Sequence, residues 1–184
     1  MIINNDRKKL IAAIVYFAKN TNLCGKTKLF KLLYFLDFEH FKQTGRSVTG
    51  LKYYAWKLGP VPTSLCDELD SPEPDFLENI KLEPSITYGG YGALNITPLN
   101  EPDMSHFSKR EISLIKQLAE QYKDVTATGI VEKTHLPNSP WHRVFKEENK
   151  PQNLIPYEYA IDTTKEEHIL ELAKESKEMK DAYR

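Results

Sequence analysis

The chain has 184 residues, with 25 Lys and Arg against 26 Asp and Glu, a net charge of −1 and a pI near 6.5. This balance argues against the broad basic surface that general nucleic-acid or anionic-membrane binding requires. Cys24 and Cys66 lie far apart with no CxxC pattern, which fits a reducing compartment better than a disulfide framework. No apolar run approaches the ~18 residues of a membrane span, and the opening MIINNDRKK lacks the basic-then-apolar order of a secretory leader. The expectation is a cytoplasmic protein forming one domain, large enough to bury a core without staples.

In chain order, a first helix is expected over Asp6 to Asn20, with Asp6 as its cap and Leu10, Ile11, Ile14, Val15, Phe17 and Ala18 forming a broad apolar stripe. The second helix, Thr27 to about Thr44, is apolar on nearly every side and should sit in the middle of the domain. Leu29, Leu32, Leu33 and Leu36 fill one face, and Phe30, Tyr34, Phe38 and Phe41 fill another. Gly45 is placed to end it as a left-handed C′ residue. Asp37 and His40 fall inside the apolar arc at i and i+3, within reach of each other. Each needs a partner, because an unpaired buried polar group costs roughly 1–3 kcal/mol.

Val48, Thr49, Tyr53, Tyr54 and Trp56 argue for extended chain over Ser47 to Leu58, and Pro60 for the first position of a short helix running to Leu65–Leu69. Ser71 to Pro84 read as a surface loop with one helical turn. Ile86–Tyr88 and Ala93–Thr97, around Gly89-Gly90-Tyr91-Gly92, read as a β-hairpin. Ser108 and Glu111 have capping-box spacing for a helix to Tyr122. Shorter helices follow from Thr126 to about His135 and from Pro140. A final charged helix opens at Thr163 or Thr164 and loses its apolar positions after Ser176. The fold class expected is mainly α with a small β-hairpin, a compact helical bundle around a central buried helix. Residues 1–162 form the domain, and 163–184 a charged C-terminal extension.

The five histidines show no closely spaced Cys/His ligand pairs, although His135 and His142 flank one turn, and neither a metal nor a cofactor is expected. Asp37 and His40 resemble part of a catalytic triad, but no serine sits in a GxSxG elbow and neither cysteine has a nucleophile context. Two structural roles remain open for them, an internal acid–imidazole pair or separate bonds to neighbouring loop backbone, with contact to a partner as the alternative. The Gly89–Gly92 run matches no phosphate-binding pattern and reads as a turn. Tyr53, Tyr54, Trp56 and Trp141 are candidate partner-contact residues, since aromatic side chains dominate interface hot spots. Strand alternation puts Tyr54 and Trp56 on one side and Tyr53 on the other. Thr126–Lys146 superficially resembles helix-turn-helix, but Arg143 and Lys146 are accompanied by Glu147 and Glu148, a poor set for reading base edges.

The run Leu29-Phe30-Lys31-Leu32-Leu33-Tyr34-Phe35-Leu36-Asp37-Phe38-Glu39-His40 is followed by Thr44-Gly45, Val48-Thr49-Gly50, Ala55 and Gly59-Pro60-Val61. With Thr134-His135, Trp141 and Ile155-Pro156-Tyr157, it resembles the signature of the Panacea domain family of SocA-like antitoxins, over roughly Leu10 to Ile161. Leu32, Tyr34, Asp37, His40, Gly59, Pro60 and His135 are the signature positions. The resemblance implies a non-enzymatic antitoxin from a bacterial, phage or prophage toxin–antitoxin module, whose partner is a cognate protein toxin bound directly. Two alternatives are an adaptor delivering the toxin to an ATP-dependent protease and a DNA-binding autoregulator. The tail after Asp162, which the signature does not cover, is expected to be available to complement a basic toxin.

Overall fold

The computed structural model describes residues 5–87, 89–162 and 167–182. The protein is mainly helical with two small antiparallel hairpins, one more than expected. Helix α1 (Asn5–Asn20) packs beside α2 (Lys26–Thr44), whose Leu29, Leu32, Leu33 and Leu36 have no solvent exposure. Burying each such leucine contributes roughly 1.5–3 kcal/mol. Asp6 lies in the first turn of α1 rather than at its cap, and its carboxylate faces Lys180 at 3.7 Å. Arg7 forks between Glu68 and Asp75, tying α1 to the helices that follow the first hairpin.

Residues after α2 run extended into strands β1 (Tyr54–Trp56) and β2 (Gly59–Val61), which pair with Trp56 opposite Gly59. Pro60 therefore lies in a strand and does not start a helix. Gly59, at φ +97°, closes the tight Lys57-Leu58 turn, a conformation that costs glycine little. The helix begins beyond Pro62, as α3 (Thr63–Asp70). The other edge of β1 is also occupied: Ala55 N–H donates to the Asn153 carbonyl and Ile155 N–H to that of Tyr53.

The expected helical turn is α4 (Pro74–Leu77). The second hairpin is longer than its sequence suggests, with β3 (Ile80–Ile86) paired to β4 (Gly92–Pro98) and Pro84 inside β3. A proline is tolerated there because each strand of a two-stranded ribbon is an edge. Tyr88, expected at the end of the first strand, lies outside the described residues. Ile80 and Ile96 anchor the ribbon in the core.

Helix α5 (Lys109–Gln121) starts in the Ser108/Glu111 capping box as expected, and Glu111 additionally takes Lys9 of α1 at 2.6 Å. Thr126 caps α6 (Ala127–Thr134). Ser139 caps α7 (Pro140–His142), which runs into a π-helical turn over Arg143–Glu147. After a 3-10 turn at Tyr157–Ala160, helix α8 (Glu167–Ala182) returns to the end of α2, where Ile169 packs with Phe41 and Ile161. The expected caps Thr163 and Thr164 lie outside the described residues.

Gly45 does two jobs at the α2 terminus. It adopts φ +70° and donates its N–H to the Phe41 carbonyl, and a Cβ there would sit 2.8 Å from the Ala173 amide nitrogen and 3.0 Å from the Ile169 carbonyl. Gly45→Ala should lose about 1–2 kcal/mol of stability from the left-handed backbone alone and push α8 off its seat. Urea unfolding and faster tryptic cleavage within 174–180 measure the two effects.

Candidate partner-binding surface

Asp37, on the inner side of α2, has no solvent exposure and accepts four hydrogen bonds. The Val48 and Thr49 amides reach Oδ1 at 2.8 and 2.7 Å, while the Thr49 and Tyr53 hydroxyls reach Oδ2 at 2.5 and 2.7 Å. Burial pushes this carboxyl up to about 6 even though all four donors pull it down. His40 does not meet Asp37. Its Nδ1 lies 2.7 Å from the Arg46 carbonyl and 3.3 Å from the Thr44 hydroxyl, and burial lowers its pKa. Of the two structural roles, separate bonding to the following loop is the one realised. Both groups bind the chain that leaves α2 back onto it.

The same helix carries two buried lysines that the apolar pattern concealed. Lys28 donates to the Asn22 and Lys123 carbonyls, and Lys31 donates to the Pro60 carbonyl at 2.7 Å. Their sequence signal is the presence of lysine in a helix otherwise apolar on nearly every side. Desolvation brings Lys31 down to about 7. Tyr157, which had no local signal, donates its hydroxyl to the Leu51 carbonyl at 2.6 Å and stacks on Phe41.

These anchors hold the β1–β2 hairpin in a fixed pose and sort the four aromatic candidates. Tyr53 is fully buried on Asp37. Trp141 is also internal, as its indole N–H donates to the Trp56 carbonyl at 2.8 Å and its rings stack between His135 and Phe145. Neither presents its ring to a partner. Tyr54 is half-buried, and Trp56 is 41% exposed on the same side of β1. Leu58 in the hairpin turn and Leu154, bridged to Tyr54, are exposed apolar residues that local pattern did not single out. Lys52 and Lys57 are exposed nearby, and residues 50–66 contain no acid, so the hairpin itself is locally basic, whereas Lys150 beside it is paired with Glu148 at 3.1 Å.

Among the other signature positions, Leu32 is core. His135 Nε2 is buried without a hydrogen-bond partner among the described residues, while the Tyr34 hydroxyl is buried against the Trp141 backbone, and burial raises its pKa. Gly59 leaves room for the Thr134 hydroxyl and the Lys31 side chain, at 2.7 and 2.9 Å from where a Cβ would stand. Pro60 supplies the carbonyl for Lys31. His135 and His142 do not combine, since His142 Nδ1 faces Glu147 at 3.1 Å, and no group of three metal-ligating side chains occurs among the described residues. In the segment likened to helix-turn-helix, Trp141 and Val144 are buried and the Arg143 guanidinium lies 3.8 Å from the Tyr159 ring centroid.

Two variants test the anchors. Asp37→Ala strands four donors and should cost about 3–5 kcal/mol, a value that chemical denaturation resolves. Lys31 has a folded pKa below its unfolded one, so its contribution is present in full only above about 10.4 and is lost as pH falls towards 7. Between pH 7 and 9.5 the wild type should gain about 3 kcal/mol relative to Lys31→Met in paired urea titrations.

Among the described residues no helix is long and apolar enough to cross a membrane. Neither curated proteins nor solved structures give a match. Residues 29–142, more than half of the chain and containing α2 from Leu29 onward, both hairpins and the buried anchors from Lys31 to Trp141, match the family model described as antitoxin SocA-like, Panacea domain. The chain belongs to the SocA-like antitoxin family with a Panacea domain.

Proposed function

We propose that the protein neutralises a cognate protein toxin by binding it directly and without catalysing a reaction, with Trp56 as the anchor of the contact. The observation that carries this reading is the exposed indole on a hairpin clamped from both sides, within a chain of an antitoxin family. A large side chain held on a rigid element loses little freedom when it is covered, which is what favours a hot spot. Tyr54, Leu58 and Leu154 extend the apolar area, and Lys52 and Lys57 add positive charge beside it. The complementary surface is therefore apolar and acidic. The C-terminal tail is a weaker candidate for attracting a basic toxin, because residues 163–184 hold six acids and five bases.

The test is co-expression with the protein encoded beside this chain. Wild type should rescue growth through a complex that survives purification. Trp56→Ala should weaken that complex by about thirtyfold, the effect of a hot-spot residue worth about 2 kcal/mol, without lowering the thermal midpoint. Lys57→Glu should slow association chiefly at low salt. Rescue without a complex, or rescue that disappears in cells lacking an ATP-dependent protease, would replace masking with delivery for proteolysis.

A further inference from the structure

The β3–β4 hairpin carries an apolar face that outruns the core. In its register Leu82 stands opposite Ile96, Pro84 opposite Leu94 and Ile86 opposite Gly92, and strand alternation puts Ile80 on the same face. Ile80 and Ile96 are buried in the core, and Leu82 and Leu94 pack against its margin. Further out, Pro84 is exposed and Ile86 is 77% exposed. A two-stranded ribbon that packs on nothing is marginally stable in water, so the outer half of this one lacks a covering layer.

The rest of the ribbon is already satisfied. On the opposite face Lys81 pairs with Glu83 at 2.8 Å, and the Ser85 hydroxyl donates to the Asn95 side chain at 3.2 Å. Both edges resist a further strand: Pro84 withholds an N–H from the free edge of β3, and Asn95 of β4 is bridged by Gly25. Charge identifies what covers the remaining face. Residues 84–100 contain no Asp, Glu, Lys, Arg or His, in a chain of which 28% is charged. Two copies related by a two-fold axis present the same patch to each other, so a charge near the axis would meet its own sign. A face without charge is free of that repulsion. An acidic partner, which the basic β1–β2 hairpin favours, finds no countercharge here.

We infer that the protein pairs with a second copy of itself through this face, the two ribbons stacking so that Pro84, Ile86 and Leu94 of each cover those of the other. Stacked sheets lie about 10 Å apart, near enough for these side chains to interdigitate. So few side chains fall well short of the ~800 Å² per partner of a stable complex, so the dimer is weak and reversible. It does not depend on the function proposed above.

The test is sedimentation equilibrium of the full chain up to about 500 µM, where a monomer–dimer equilibrium with a dissociation constant of about 10–200 µM is expected. Ile86→Lys, at an exposed position, should keep the thermal midpoint and weaken the dimer roughly tenfold or more, as should Ile86→Glu. An equimolar mixture of these two variants should associate more tightly than either alone, because opposite charges then meet across the interface. Tyr91→Lys, exposed on the opposite face of the ribbon, should leave the equilibrium unchanged. A chain that stays monomeric throughout, a dimer indifferent to Ile86→Lys, or a mixture no tighter than its components overturns the inference. So does a dimer that Tyr91→Lys weakens equally. A monomeric wild type whose complex with the neighbouring gene product is weakened by Ile86→Lys would assign the face to the toxin, and overturns it as well.

Discussion

The burial of one carboxylate inside the central helix sets the geometry of much that follows it. Asp37 sits where the helix is otherwise hydrocarbon, and an unsolvated acid is tolerable there only with its oxygens satisfied. The four donors come from Val48, Thr49 and Tyr53, so the chain leaving the helix has to turn back and lie along it. His40 on the Arg46 carbonyl and Gly45 at the helix end produce the turn that makes this return possible. The family signature at these positions describes a way of tying a loop to a helix.

From that tether the exposed chemistry is positioned at second hand. Tyr53 points inward to Asp37, so Tyr54 and Trp56 on the alternate side of the strand point away from the core. Trp141 secures the Trp56 carbonyl, Lys31 secures that of Pro60, and Tyr157 that of Leu51. Each bond is made by a side chain from another part of the fold to the backbone of the hairpin segment. Backbone anchoring leaves the outward side chains of the hairpin uncommitted to the core. Lys28 and Lys31 are the price in solvation of that arrangement, and Lys31 bears it as a depressed pKa.

The other faces of the same helix are filled by aromatic packing. Phe38 lies against Tyr34, Tyr53 and Tyr157 and is almost fully buried, and Phe35, half-buried, stacks on Tyr122 of the α5 terminus. Rings that pack on one another hold the helix in place without asking for polar partners.

Local pattern alone was enough to determine α1, α2 with its Gly45 terminus, the capping-box start of α5, and the separation of Tyr53 from Tyr54 and Trp56, because periods of 3.6 and 2.0 and the left-handed preference of glycine act over a few residues. It also carried the family. The tertiary structure decided which side of each pattern is covered. Pro60 joins a strand because its carbonyl is claimed by Lys31 and its neighbour Gly59 closes a turn, and Trp141 goes inside because its indole finds a carbonyl 85 residues earlier in the chain. The second hairpin extends through Pro84, and α8 comes back to Gly45, for the same kind of reason. Local sequence states that a face is apolar or that a polar group needs a partner. The identity of that partner is fixed only when distant segments compete for the same buried space.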